Sequence, residues 1–199
     1  MDANMRAPLA NSESSSPIET SIDTPALCSK ELITPLGDMI AVAGDRGLAL
    51  CEFVDRPMLP TQMQRVESLF GAVVARDHPL LEQTQHELDE YFSGRRETFT
   101  IPLALDGSAF QMSVWRELQR IPFGSTTSFD SIAMRLNRRG GARAVGRANG
   151  DNRIAIIVPC HRVINADGSL SGYGGGKHRK RWLLDHERRG EQLVFDELQ

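Results

Sequence analysis

The sequence predicts an α+β protein: a small N-terminal α/β domain with an antiparallel sheet, then a mainly helical C-terminal domain containing a helix-turn-helix. Between Glu31 and Val54 short apolar runs are broken by turn residues, the pattern of an antiparallel meander. After Asp106-Gly107-Ser108 the apolar spacing becomes helical, with Phe110, Val114 and Leu118 on one face. Charge divides the chain at the same place. Residues 1–109 carry 8 Lys+Arg against 17 Asp+Glu, net −9, and residues 110–199 carry 15 against 9, net +6. The expected division is a tail over 1–27, an α+β domain over 28–105, a C-terminal domain over 106–190 and a short tail over 191–199.

The first 27 residues include Ser12-Glu13-Ser14-Ser15-Ser16-Pro17, lack aromatics and have no period, so disorder is expected there. The meander follows: Leu32 and Ile33, the turn Pro35-Leu36-Gly37-Asp38, the run Met39 to Ala43, the turn Gly44-Asp45-Arg46-Gly47, and the run Leu48 to Val54. Leu80, Leu81, Leu88, Tyr91 and Phe92 fall at helical spacing and Gly94 stops them. Thr98 to Leu105 alternates as a further strand would. This half offers no evident chemical constellation.

In the second half Ser108 is placed to cap a helix that Pro122-Phe123-Gly124 ends. Ser128 to Leu136 reads as a short helix, Asn137-Arg138-Arg139-Gly140-Gly141 as a tight turn, and Ala142 to Asn149 as a second helix. That outline fits a helix-turn-helix and equally an ordinary αα-hairpin. The second helix mixes arginines with very small side chains, and Arg143 and Arg147 share a face at i and i+4. Small residues allow close approach to a groove or to another helix; with the basic balance of this half, nucleic acid is the favoured partner.

The composition excludes other classes. Hydrophobic residues make up 40% and charged residues 25%, as in globular proteins, and no apolar run nears the ~20 residues of a membrane span. The N-terminus has one basic residue, Arg6, and no apolar core of a signal peptide. Three cysteines, Cys28, Cys51 and Cys160, with no C-x-x-C, suggest neither a disulfide framework nor a zinc ribbon. A cytoplasmic protein with reduced thiols is expected.

Ile154 to Val158 is a β-branched run that predicts a buried strand, ending at Pro159-Cys160-His161-Arg162. A cysteine is often only a small buried hydrophobe, but here cationic neighbours favour its nucleophilic thiolate. Adjacent strand residues point to opposite faces, so Cys160 and His161 cooperate only if the chain turns there or a water bridges them. Ser169 to Gly176 is a Gly-rich loop, a connector or the wall of a pocket. Lys177 to Glu187 reads as a basic helix with Trp182, Leu183 and Leu184 in the core. Glu187 is either solvated or the buried partner of His161.

Pro159-Cys160-His161-Arg162-Val163-Ile164 resembles the active-site signature of O6-alkylguanine-DNA alkyltransferases. The resemblance runs from about Phe110 to Glu187, taking in Phe110-Gln-Met-Ser-Val-Trp115, Ala142-Arg-Ala-Val-Gly146, Asn152, the Gly-rich loop and Trp182-Leu-Leu-Asp-His-Glu187. The N-terminal half matches loosely, in Thr34-Pro-Leu-Gly37 and around Tyr91-Phe92. The resemblance implies repair of O6-alkylguanine in duplex DNA, with O4-alkylthymine a further candidate, by irreversible transfer of the alkyl group to Cys160, one turnover per protein. His161 would act as base through a water, Glu187 would orient it, and Asn152 would organise the site. Arg143 would intercalate from the minor groove beside Ala142, Ala144, Gly146 and Arg147 while the damaged nucleotide is flipped out. Phe129, Val163, Tyr173, Gly174, Gly175 and Arg162 would form the base pocket, the carbonyls of Cys160 and Val163 accepting from the guanine amino group. A monomer, no cofactor and no membrane are implied. No metal is expected, because Cys28 and Cys51 have no convincing His partners nearby.

One position departs from the family pattern: Phe129 stands where a tyrosine is usual. The missing phenol would have donated to the guanine ring as charge develops, so slower transfer is expected, and Phe129→Tyr should be faster. That departure supports an alternative, a DNA-binding lesion sensor or transcriptional regulator with weak transfer activity, against which Cys160 stands. A Cys–His hydrolase leaves the basic small-residue helix unexplained.

Overall fold

The computed structural model describes residues 27–196, with side chains to 188. The expected disorder of the N-terminal tail, and the end of the C-terminal tail at 197–199, lie outside the described residues. Strands β1 (Leu27–Leu32), β2 (Met39–Gly44) and β3 (Gly47–Phe53) form the antiparallel meander. Gly37 and Gly47 hold the positive φ of 110° and 119° that its turns require. Helix α1 (Leu59–Phe70) follows, then β4 (Val73–Ala75), which joins β1 in parallel to give the order β3-β2-β1-β4. The sequence reading missed α1. Its buried positions Gln62, Val66 and Phe70 are spaced for a helix, but a polar residue opens the stripe. Helix α2 (Pro79–Phe92) matches expectation and buries Leu81, Leu88 and Tyr91.

The helical half begins with α3 (Ala109–Gln119), whose cap Ser108 forms a capping box with Gln111. Strand β5 (Thr127–Ser128) leads into α4 (Phe129–Arg135), capped by Ser128, and then α5 (Ala142–Gly150). The turn between the helices depends on Asn137 and Gly140, at φ 55° and 72°. A single 3-10 turn, Cys160–Arg162, runs into β6 (Val163–Ile164), which pairs in parallel with β5 and so ties the start of α4 to the Cys-His-Arg turn. Helix α6 (Lys177–Asp196) runs past Glu187, where the sequence reading closed it. Leu183 and Leu184 are buried; Trp182 is not core but 38% exposed, lying flat on His186.

Two expected strands are corrected. Thr98 to Leu105 makes one isolated bridge, Leu48 with Leu103, and Ile154 to Val158 makes one, Cys51 with Ile154. Both bridges fall on the same free edge of β3. Pro102 has no N–H to extend the first, and the next carbonyl, Ala49 O, already accepts from Arg153 Nε at 3.1 Å. In the second, Asn152 takes the backbone groups a strand would use: Ile154 N donates to its Oδ1, and its Nδ2 donates to the carbonyls of Ile154 and Val158. The segment is therefore a compact turn, with Ile156 at φ 70°, though all five residues are buried as expected. The two segments together cover the β3 edge and join the halves around one core. Among the described residues no helix is long and apolar enough to cross a membrane.

Candidate active site

Asn152 lies two residues beyond α5, and its amide organises the turn that carries the cysteine. Besides the two carbonyls, Nδ2 lies 3.1 Å from the Sγ of Cys160. After Pro159 the chain winds into the 3-10 turn, so Cys160 and His161 do not alternate as on a strand. Cys160 lines a cavity of about 420 Å³, and His161 is buried behind it.

Glu187 is fully buried and receives an unusual set of donors. Its carboxylate accepts from His161 Nε2 at 2.8 Å, Tyr91 Oη at 2.8 Å, Arg162 Nε at 2.9 Å and Nη2 at 3.0 Å, and the Gly124 N–H at 3.2 Å. Burial alone would raise its pKa, but the hydrogen bonds and charges of His161 and Arg162 override burial and hold it at about 2. The partner reading of Glu187 thus holds, and the solvated reading does not. An ionised carboxylate only accepts, so the His161 nitrogen facing it carries the hydrogen and Nδ1 is bare. That Nδ1 is buried without a partner among the described residues. Burial pushes the imidazole pKa down, against the pull of Glu187, which keeps the ring neutral.

The expectation that flanking cations hold Cys160 as a thiolate is reversed. Burial raises the thiol pKa, and the opposing influences of Asn152, Arg56 and Lys180 do not overcome it. Arg162 gives the sulfur no help because its guanidinium faces Glu187 and the carbonyl of Ile121. Nor does it line the Cys160 cavity; it borders a separate one with Pro122, Phe123 and Ile157.

Of the other expected pocket residues, Phe129, Tyr173, Gly174 and Gly175 line the cavity with Cys160; so do Asn152, expected to organise the site, and Gly146, expected as a DNA contact. Val163 is buried behind the wall, its carbonyl accepting from Lys180 Nζ and Ser171 Oγ. Lys180 is fully buried, which pushes it down to about 8 against the pull of Cys160. On α5, Val145 and Ala148 face the core, while Arg143, Ala144 and Arg147 are exposed and Ala142 is half-buried at the helix start. Trp115 Nε1 fixes this helix by donating to Ala148 O at 2.9 Å.

The N-terminal half, read from sequence as chemically silent, supplies part of the cavity wall. Glu52 and Arg56 form a buried ion pair there, and Arg56 also donates to Asn152 O at 3.0 Å and Gly150 O at 2.6 Å. A Cβ on Gly174 would lie 2.6 Å from the Arg56 guanidinium carbon, and one on Gly175 2.6 Å from the Phe53 ring. Both glycines are needed for that close approach. Sequence reasoning also missed Tyr91 as a Glu187 donor, and Asn149, which lines the cavity from α5. The i,i+4 spacing of Glu52 and Arg56 was the available signal.

The chain is similar to known proteins along most of its described length. Residues 32–105 match the family described as 6-O-methylguanine DNA methyltransferase, ribonuclease-like domain, and residues 109–189 match its DNA binding domain. Over 159 residues the chain is 44% identical to the methylated-DNA--protein-cysteine methyltransferase of Mycolicibacterium paratuberculosis, covering 78% of this chain and 89% of that protein. It is 42% identical over 137 residues to the inducible methylated-DNA--protein-cysteine methyltransferase of Bacillus subtilis, covering 65% and 76%. The solved structure of Mycobacterium tuberculosis OGT in complex with DNA matches with a TM-score of 0.71 at 37% identity, over 82% of this chain and 94% of that one.

Proposed function

Because this chain belongs to the 6-O-methylguanine DNA methyltransferase family, we propose that Cys160 is its alkyl acceptor, served by His161, Glu187 and Asn152. The activity is DNA repair by alkyl transfer from DNA to a protein cysteine. The substrate in our reading is O6-alkylguanine, flipped from duplex DNA that α4 and α5 engage through the minor groove. Arg143 fills the gap left in the stack, Ala142, Ala144 and Gly146 allow close approach to the backbone, and the exposed Arg147 meets phosphate. The protein acts as a monomer in the cytoplasm.

The observation that carries this reading is the buried Glu187–His161 contact, which leaves Nδ1 of His161 bare one residue from the cavity-lining thiol. The Cys160 proton passes through a water to Nδ1, and Asn152 Nδ2 steadies the sulfur as it gains charge. Sulfur then bonds to the alkyl carbon as the carbon–O6 bond breaks. Its electron pair goes to the purine, which takes up a proton and leaves as guanine. A cysteine thioether remains, and no group in the site reverses it, so each molecule acts once. Phe129 and Tyr173 supply ring surface for the flipped base.

Single-turnover transfer of labelled methyl groups from an O6-methylguanine duplex tests these roles. Cys160→Ala should accept none, and His161→Ala should react about 10²–10⁴-fold more slowly. The wild-type rate should be level through neutral pH and fall in acid, below the ordinary histidine pKa of 6.5, as Nδ1 protonates. A His161→Ala variant with wild-type rate would remove the base from the mechanism.

A further inference from the structure

The wall that Phe129 gives the Cys160 cavity is continued by an amide that nothing in the resting protein uses. Gly146 and Asn149 lie one turn apart on α5, and both line the cavity with Phe129 and Cys160. A Cβ on Gly146 would meet the Phe129 ring at 3.8 Å, so ring, glycine and amide form one continuous surface. Asn149 is 6% exposed, and its Oδ1 is buried with no hydrogen-bond partner among the described residues. The Nδ2 end of the amide also has no hydrogen-bond partner among the described residues, and a free donor in a cavity wall suits an acceptor that arrives with the ligand. The Phe129 ring can stack but has no hydrogen to donate.

We propose that Asn149 stabilises the departure of the flipped base, its Nδ2 donating to ring N3. The proposal rests on the alkyl-transfer reading above. When the carbon–O6 bond breaks, its electron pair spreads over O6, N1 and N3 of the purine. A donor at N3 therefore binds the leaving base more strongly than the neutral substrate, and so it raises the rate more than the affinity.

Single-turnover transfer separates the possibilities, using duplexes with O6-methylguanine or its 3-deaza counterpart, in which CH replaces N3. The proteins are wild type, Asn149→Leu and Asn149→Asp; the aspartate keeps the side-chain shape without the donor, should the leucine variant not fold. Both variants should lose rate on the order of 10²-fold on O6-methylguanine, with duplex Kd nearly unchanged. The 3-deaza change should slow wild type similarly and cost the variants nothing further. Phe129→Tyr should accelerate Asn149→Leu more than it accelerates wild type. Variants at the wild-type rate, or a 3-deaza penalty as large in them as in wild type, would overturn the assignment. Wild type that transfers nothing from the O6-methylguanine duplex would instead overturn the reading on which it rests.

Discussion

Glu187 sets the protonation of its neighbours because one cation, Arg162, and three neutral donors, His161, Tyr91 and the Gly124 N–H, hold its buried carboxylate ionised. Arg162 balances its charge, so His161 has no need to be a cation and is free to become one during reaction. The same arrangement has a stability consequence. A carboxylate lowered from 4.5 to about 2 contributes stability that is full above pH 4.5 and lost as pH falls through about 2. By linkage this is roughly 3 kcal/mol at neutral pH. Denaturant unfolding of wild type and Glu187→Gln should therefore give curves that separate at pH 7 and converge between pH 4.5 and 2; a pH-independent gap would contradict the account. At this scale the sequence revealed Cys160, His161 and Asn152 through motif resemblance. The resemblance also pointed to Glu187, which the residues alone left open between solvent and His161, because its partners Tyr91, Gly124 and His161 lie 96, 63 and 26 residues away.

The free edge of β3 joins the two halves at the level of elements. Its Leu48 and Cys51 hold the chain around Leu103 and Ile154, and the Glu52–Arg56 pair beyond them braces Asn152 and the Gly-rich loop. Arg56→Met would leave Glu52 buried without its cation, at a cost of about 3–5 kcal/mol in unfolding free energy. The double variant Glu52→Gln/Arg56→Met should recover part of that loss, and strict additivity of the two changes would contradict the pairing. The meander and five of the helices were legible because their signals are local: turn residues, caps and apolar spacing. Thr98 to Leu105 and Ile154 to Val158 carried genuine strand composition and formed no strand, because long-range competition for one edge, Pro102 and the Asn152 side chain decided their pairing.

Over the whole molecule, the charge split of −9 and +6 separates a scaffold half from a DNA-facing half, although both line the cavity. The exposed Arg147 should act on phosphate by releasing counterions, and Arg143 by filling the stack. Replacing either with Ala should weaken duplex binding, and Arg147→Ala should also reduce the slope of log K against log salt by about 1 for each phosphate no longer neutralised. Unchanged duplex affinity and slope in Arg143→Ala/Arg147→Ala would move the interface off α5. The most direct measurement is mass spectrometry of the intact protein and its peptides after incubation with a duplex containing one O6-methylguanine. A single methyl-sized gain on the Cys160 peptide, stoichiometric with protein and absent in Cys160→Ala, is the expected result. Duplex binding with no gain in mass, or a gain on another residue, would contradict alkyl transfer to Cys160.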